Sequence, residues 1–329
     1  MSEQHATHPA SRPRAFVALV VGVWLALVAL EAWHRFDPFI HPPGRRPSGG
    51  GSPYLPNVRR TLRGDFGGDL TRMLGFAARA RLFGVPRGDI EVATDRRGFR
   101  NEPPLAAAHC PVVVTGDSYM DQGLTNADTP AAQLGRLLGV PAYDCSQMAA
   151  GPAAGAHWLL ANDAFRRRPP KVLVWGFIER NLRASRFEAW PPKAKRLPSL
   201  PQAIRAVPGH LKTWLTRWSL LKRWAVALRA EATWRLAGQL ITDKVIVGRH
   251  PNGEHFLFLR GSVRTLEHAA QKRQLERVAI AIHSVHAECQ RRGIHLAVVL
   301  IPDKAHVYAR WLPPADRPRI PTPNALADL

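Results

Sequence analysis

A repeated order of short apolar strands and helices, beginning near residue 111, limits the folds that this chain can adopt. The run from Val112 to Thr115 is β-branched and is flanked by Pro111 and Gly116, as is typical of a strand buried on both faces. Further strands are predicted at 140–145 and 171–177, with helices near 127–138 and 150–165. This βαβαβ order predicts a parallel sheet that has right-handed crossovers and helices on both faces.

A fourth strand is predicted from His295 to Ile301, after a long helix at 264–292. The segment 184–263, between the third and fourth strands, is interpreted as a helical insertion. Within it, the stretch 210–240 has apolar residues at helical spacing and Lys and Arg mostly elsewhere on the helical wheel. Two interpretations are open for this stretch: a helix packed on the core with a solvated basic face, and a helix lying on an anionic membrane surface.

The N-terminal part of the chain carries an uninterrupted apolar run from Ala15 to Leu30, preceded by two arginines. Extended to Trp33, the run is long enough to cross a membrane. We predict an uncleaved signal anchor at 15–33 after a tail at 1–14. A cleaved signal peptide is the alternative, although no small-x-small site follows the run. With the tail inside, the protein would be a single-pass inner-membrane protein whose main domain faces the periplasm.

The remaining chain divides into a linker and one domain. The segment 34–68 is predicted to be a linker, because 41–56 is rich in Pro, Gly and Ser and has no apolar period. The domain is expected at 69–329, and its first helix at 69–84. The 3 cysteines are expected to remain buried thiols, because their spacings match neither a disulfide framework nor a zinc site.

The charge of the chain favours an anionic partner. The 46 Lys and Arg residues against 25 Asp and Glu residues give a formal net charge of +21. An acidic polysaccharide, a membrane surface and a nucleic acid are all compatible with charge alone. No nucleic-acid-binding motif is recognised in the sequence, so we do not predict that partner. We also predict no cofactor and no metal.

The tripeptide Gly116-Asp117-Ser118 ends the first predicted strand and is the first candidate for chemistry. Ligands of open α/β sheets bind beyond the carboxyl ends of the strands, so the Ser118 hydroxyl is well placed to act as a nucleophile. The alternative is a turn followed by a helix N-cap, because Gly, Asp and Ser are common in turns for conformational reasons.

This tripeptide, Gly151 after the second strand and Asn181 after the third resemble the ordered blocks of the SGNH/GDSL esterase superfamily. The segments TDRRGFRN, WGFIERN and IPDKAHVYARWLP resemble more specifically the SGNH-hydrolase-like domain of alginate O-acetyltransferases. The resemblance covers about 90–320 without the insertion. It implies a three-layer α/β/α fold with a mostly parallel sheet, and acyl transfer to or from an exported anionic polysaccharide through an acyl-serine on Ser118. A membrane-bound protein could supply the acyl group.

The resemblance also implies roles for individual residues. The oxyanion of the acyl intermediate would be held by the backbone N–H groups of Ser118 and Gly151 and by the side-chain amide of Asn181. Arg180 is a further candidate for substrate binding. Whether Glu179 and Arg180 form a structural pair or take part in catalysis stays open at this point.

A serine nucleophile needs a base, most often a histidine oriented by a carboxylate. In SGNH enzymes that begin with this serine block, the acid and the histidine follow a fifth strand, and we expect this chain to lack that part of the sheet. Asp303 and His306 have Asp-x-x-His spacing and are the candidate catalytic pair; alternatively, Asp303 caps the turn after the fourth strand. Two functions are compatible with the sequence. One is a membrane-anchored O-acyltransferase or acetylesterase, and the other is an inactive or truncated polysaccharide-binding or scaffold protein of the same fold.

Overall fold

The structure is a computed structural model, and two compact units can be separated in it. One comprises Met1–Pro38 with Pro198–Ala227, and the other comprises Phe39–Leu197 with Leu228–Leu329. The predicted helix at 69–84 lies outside the described residues. The described residues are 12–35, 54–62, 89–102, 110–147, 151–192, 201, 208–209, 219–237, 244–269 and 272–317.

The described elements are strands, α-helices and short 3-10 turns. The strands are β1 (Arg59–Leu62), β2 (Ile90–Ala93), β3 (Val112–Gly116), β4 (Ala142–Asp144), β5 (Val172–Ile178), β6 (Val245–Arg249), β7 (His255–Leu259) and β8 (His295–Ile301). The α-helices are α1 (Arg12–Arg35), α2 (Pro130–Leu138), α3 (Ala154–Ala161), α4 (Asp163–Arg167), α5 (Leu220–Ala237), α6 (Arg260–Ala269), α7 (Lys272–Arg291) and α8 (Lys304–Val307). The 3-10 turns are Asn126–Asp128, Glu179–Asn181, Ala184–Arg186, Ala309–Trp311 and Pro314–Asp316.

Helix α1 is the predicted apolar N-terminal helix. Its stretch Ala15–Trp33 has 19 residues and is exposed, and it is long and apolar enough to cross a membrane. By length and composition a signal sequence fits equally well. In the same unit, the backbone N–H of Leu221, in the first turn of α5, donates a 3.1 Å hydrogen bond to Glu31 Oε2. This contact gives the one carboxylate in the apolar stretch a polar partner.

The second unit is built on a four-stranded parallel sheet in the order β4-β3-β5-β8. Strand β3 is buried along its whole length, because it lies between two other strands and its residues are apolar or small. The predicted α/β class and the parallel sheet are confirmed. Among the described residues, β4 and β8 are the two edge strands of this sheet.

Alternate residues of β3 face two different cores. Val113 packs with Leu159 of α3 and Val285 of α7, whereas Val112 and Val114 pack with Ala131 of α2. Successive side chains of a strand point to opposite faces of the sheet. Helices therefore cover both faces, and the unit has three layers, as expected.

A turn at 95–101, within the motif TDRRGFRN, lies against β4. Asp95 Oδ1 accepts the backbone N–H groups of Arg97 and Phe99, at 2.7 and 3.1 Å. The side chain of Asn101 pairs with the backbone of Asp144 in both directions, at 2.9 and 2.8 Å. The motif TDRRGFRN thus fixes the strand before the central sheet to the end of β4.

The insertion is not purely helical, which corrects the sequence-based expectation. It contains α5 and an antiparallel hairpin of β6 and β7, which packs against the segment after β8. Of the predicted amphipathic stretch 210–240, residues 210–218 and 238–240 lie outside the described part. In α5 the apolar side chains Trp224, Leu228 and Leu236 are exposed. The three cysteines are free and buried, as predicted.

Candidate active site

The carboxyl ends of β3, β5 and β8 bring three loops together. The strands are in register, so that Gly116 lies opposite Gly176 and Ile178 lies opposite Ile301. Ser118 follows the end of β3, the turn Glu179–Asn181 follows β5, and Asp303 follows β8. Most of the predicted site residues therefore lie at one edge of the sheet.

Asp117 joins the first two of these loops. Its carboxylate is buried, and Oδ2 accepts the backbone N–H of Ile178 at 2.9 Å and Nδ2–H of Asn181 at 2.7 Å. Its other oxygen, Oδ1, accepts the backbone N–H of Tyr119 at 2.9 Å. The Asp117 carboxylate thus bonds to the residue after Ser118 and fixes the turn after β3 to the turn after β5.

Ser118 is half-buried and opens a turn, in which the Met120 N–H donates to the Asp117 carbonyl at 3.0 Å. The Ser118 carbonyl accepts Nε2–H of Gln122 at 2.8 Å. Within the described part of the chain, neither the hydroxyl nor the backbone N–H of Ser118 forms a hydrogen bond.

Two glycines make room for a methionine beneath this turn. A Cβ at Gly116 would lie 1.8 Å from the carbonyl oxygen of Gly176, and a Cβ at Gly176 would lie 2.3 Å from Sδ of Met120. The Met120 side chain is buried and covers both glycines. A side chain at 176 would therefore displace the turn that carries Ser118.

Gly151 lies at the same edge of the sheet, just before α3. Its φ of +93° is in the region that glycine adopts readily. Helix α3 approaches β3 closely, since a Cβ at Gly155 would lie 1.9 Å from Oγ1 of Thr115. Among the described contacts, none joins Gly151 directly to Ser118. Asn181, the third predicted oxyanion donor, uses one of its two N–H bonds for Asp117.

His306 contacts a carboxylate other than the one predicted from spacing. Its Nδ1 lies 2.9 Å from Oε1 and 3.0 Å from Oε2 of Glu179, the first residue of the turn after β5. The Glu179 side chain is 6% exposed and that of His306 is 21% exposed. The acid that holds the imidazole is therefore Glu179, in place of Asp303.

Asp303 has two other partners. Its Oδ1 caps α8 by accepting the Ala305 N–H at 2.9 Å, and its Oδ2 lies 2.6 Å from Nη1 of Arg180. Nη2 of Arg180 donates to the hydroxyl of Tyr119 at 3.1 Å. Burial lowers the pKa of the Arg180 guanidinium, but Tyr119 and Asp303 outweigh burial and raise it overall. Arg180 thus links the loop after β8 to the residue that follows Ser118.

A second network of charged groups supports the loop that follows Ser118. The guanidinium of buried Arg100 donates to carbonyl oxygens of Asp121 and Gly123 and to Oδ1 of Asn126. The Asp121 carboxylate accepts the Tyr54 hydroxyl at 3.1 Å. Burial raises the pKa of Asp121 to about 8. Arg100, in the motif TDRRGFRN, therefore holds the backbone of the loop that follows Ser118.

Sequence reasoning identified most of this cluster but missed the partnership of Glu179 with His306 and the role of Tyr119. One available signal is that Glu179 directly follows a strand of buried apolar residues, where a carboxylate needs a partner. Tyr119 carries no comparable signal, because its contact with Arg180 depends on the shape of the turn.

Comparison with known proteins assigns no family to this chain. Comparison of the chain with protein-family models, with curated proteins and with solved structures finds no match in any of the three. Within the described residues, no group of three or more His, Cys, Asp or Glu side chains could hold a metal ion. The resemblance to the SGNH superfamily therefore stays a prediction.

Proposed function

We propose that this protein is a membrane-anchored SGNH-type O-acyltransferase or acetylesterase that acts on an exported polysaccharide through an acyl-serine on Ser118. One observation carries the proposal: the turn with Ser118 directly follows a buried parallel strand and is held by the turn after β5. The hydrogen bonds of Asp117 and Tyr119, on either side of Ser118, provide this support. A serine nucleophile needs a hydroxyl that is held in a fixed position and has no other hydrogen-bond partner.

The chemistry proposed for the site is attack of Ser118 Oγ on an acyl carbonyl carbon. The backbone N–H of Ser118 is unused among the described residues, so it can donate to the developing oxyanion. The N–H of Gly151 and the remaining amide N–H of Asn181 are the further donors in this proposal. The positive φ of Gly151 supports its role as a donor, because glycine readily adopts a backbone conformation that turns an N–H group toward a ligand.

The substrate class is inferred from the charge and the N-terminal helix. A net charge of +21 favours an anionic polymer over a neutral one. The apolar stretch Ala15–Trp33 would hold the protein in the inner membrane, with the catalytic domain in the periplasm. There a membrane-bound protein could supply the acyl group, and an exported polysaccharide could receive it.

The proposal is tested by mass spectrometry of the detergent-solubilised full chain after exposure to p-nitrophenyl acetate. We expect the wild type to gain one acetyl group, mapped to Ser118, and Ser118→Ala to gain none there. Ser185→Ala is the matched control, because Ser185 is an exposed serine in the middle of the 3-10 turn Ala184–Arg186 of the same unit.

Absence of an adduct on wild-type Ser118 across neutral and mildly alkaline pH would overturn the enzymatic proposal. Retention of a purified anionic polysaccharide by such a protein would then favour the non-catalytic binding function. Transfer and hydrolysis are separated by adding a polysaccharide acceptor to the acetylated protein and following acetyl groups on the polymer and in solution.

A further inference from the structure

Glu179 and His306 form a partly buried acid–imidazole pair that the proposed function has not yet used. Both carboxylate oxygens lie within hydrogen-bonding distance of Nδ1, at 2.9 and 3.0 Å. The Glu179 side chain is only 6% exposed, whereas the imidazole is 21% exposed. A carboxylate that accepts Nδ1–H selects the tautomer in which the Nε2 lone pair is free to take a proton.

The position of Glu179 is fixed from three directions. It begins the turn that directly continues β5, and the preceding N–H of Ile178 is bonded to Asp117. The backbone N–H of Asp303 donates to Glu179 Oε2 at 3.2 Å. Helix α6 packs against the turn Glu179–Asn181. The carboxylate is therefore held by the sheet and its loops, so it can hold the imidazole in turn.

The carboxylate of Asp303 is not available for the same task. Its two oxygens are engaged by the Arg180 guanidinium and by the N–H of Ala305. Asp303 contributes its backbone to the pair, since its N–H bonds to Glu179 and its carbonyl accepts the backbone N–H of His306 at 2.9 Å. In the Asp-x-x-His segment, Asp303 is thus a helix cap, and the acid that contacts His306 comes from the turn after β5.

The pair and Ser118 lie on the same set of loops. Asp117 is bonded to both ends of the segment from Ile178 to Asn181, and Glu179 lies within that segment. Arg180, next to Glu179, donates to Tyr119, next to Ser118. The residue before the serine is therefore bonded to the residue before the acid, and the residue after the serine is bonded to the residue after the acid.

We propose that Glu179 is the positioning residue that orients His306 as the general base for Ser118; this inference rests on the proposed function. As Oγ bonds to the acyl carbon, Nε2 takes the Oγ proton, directly or through one water. The imidazolium then protonates the departing alkoxide as its bond to the acyl carbon breaks. In the second half, Nε2 takes a proton from a sugar hydroxyl or water. That oxygen bonds to the acyl carbon, and Ser118 Oγ leaves and regains a proton.

The test is the rate of Ser118 acetylation by p-nitrophenyl acetate between pH 5 and 9, measured on the full chain in detergent. We expect His306→Ala and Glu179→Gln each to lower the rate roughly 100- to 1,000-fold. Asp303→Asn, which keeps the cap, should lower it less than about 10-fold, because Asn is a good N-cap residue. His283→Ala serves as the matched control, because His283 is an exposed histidine of α7. Added imidazole should partly restore His306→Ala.

A second readout does not depend on activity. Nitrogen-15 NMR of histidine-labelled protein should show neutral His306 with its proton on Nδ1, and Glu179→Gln should remove this preference while Asp303→Asn keeps it. Circular dichroism melting of each variant separates loss of fold from loss of the base.

The outcomes separate the two proposals. If Ser118 is acetylated at an unchanged rate in His306→Ala, or if Asp303→Asn is more damaging than Glu179→Gln, the inference fails and the acyl-serine proposal stands. If wild-type Ser118 is never acetylated, the proposed function fails. In that case an Nδ1–H tautomer that survives in Glu179→Gln would overturn the pairing as well.

Discussion

Asn181 donates its Nδ2–H to Asp117 Oδ2 over 2.7 Å, which ties the turn after β5 to the turn that carries Ser118. The same carboxylate accepts the N–H groups of Ile178 and Tyr119, both at 2.9 Å. An aspartate inside the nucleophile tripeptide is therefore a structural centre of the site. Its neighbours in the site depend on it for their positions.

Replacing Asp117 with Ala should destabilise the protein by about 2–4 kcal/mol, because three donors lose a buried, charged acceptor. Urea unfolding followed by tryptophan fluorescence measures the free energy. Asn181→Ala removes one of the three hydrogen bonds and should cost about 1 kcal/mol. The control is Asp163→Asn, since the Asp163 side chain is 75% exposed, and a surface change of this kind stays within about 0.5 kcal/mol. A cost below that of Asn181→Ala would contradict a central role for Asp117.

The contact between Gly176 and Met120 gives a second prediction. Gly176→Ala places a methyl group 2.3 Å from Sδ of Met120, and overpacking of this kind costs about 1–3 kcal/mol. Met120→Ala removes the obstructing atoms, so the double variant should be more stable than the sum of the two single effects by about 1 kcal/mol or more. Denaturant unfolding of all four proteins gives this coupling. Additive effects would show that the two residues do not share the space beneath Ser118.

Stability should fall as pH rises from about 4 to about 8, because two buried acids release their protons at a higher pH in the folded protein than in the unfolded chain. Burial, with the charge of Asp144, raises the pKa of Asp121 to about 8 from 3.8, although Arg100 and the Tyr54 hydroxyl oppose the rise. Burial raises the pKa of Asp144 to about 6. At a pH between the unfolded and the folded pKa values, the unfolded chain has lost protons that the folded protein still binds. A rise in pH across this interval therefore favours unfolding. The loss begins near pH 4 and ends near pH 8.

Asp121→Asn should reduce this slope, since an amide does not titrate and keeps an oxygen for the Tyr54 hydroxyl. Melting temperatures at pH 5, 7 and 9 provide the measurement, and the advantage of the variant over the wild type should grow with pH. Asp163→Asn corrects for the loss of one negative charge. Because the charges of Asp121 and Asp144 interact, the slope of stability against pH is a property of the pair and not of either residue alone. A constant difference across pH would mean that Asp121 is ionised in the folded protein.

The sequence predicts the scaffold of the site better than its contacts. The α/β class and the succession of strands and helices along the chain follow from β-branched runs and alternation, and the three loops meet because parallel strands end at one edge. Glu179 and His306 lie 127 positions apart in the chain, so no local pattern indicates that they meet. Local spacing instead favoured Asp303, which the fold uses as a helix cap. The hairpin of β6 and β7 was missed because its strands lie next to a segment dominated by helical periodicity.

The free cysteines permit a direct test of membrane orientation. All three are buried, and burial raises the pKa of Cys110 and Cys289 to about 11. Since the thiolate is the reactive form, the native protein should react little with a membrane-impermeant maleimide at pH 7. Ser185→Cys, at an exposed position, adds one accessible thiol to the main domain. Ser2→Cys adds one to the tail before the apolar helix.

In intact spheroplasts we expect Ser185→Cys to be labelled and Ser2→Cys to be labelled only after detergent is added. This pattern follows if Ala15–Trp33 spans the inner membrane with the short tail inside. Labelling of Ser2→Cys alone would reverse the orientation and would separate the acyl site from any exported polysaccharide. If mass spectrometry shows that the mature protein lacks Ser2 and the apolar helix, the helix is a cleaved signal peptide. In that case the domain would reach the same compartment without an anchor, and the site at Ser118 would act on a soluble polymer.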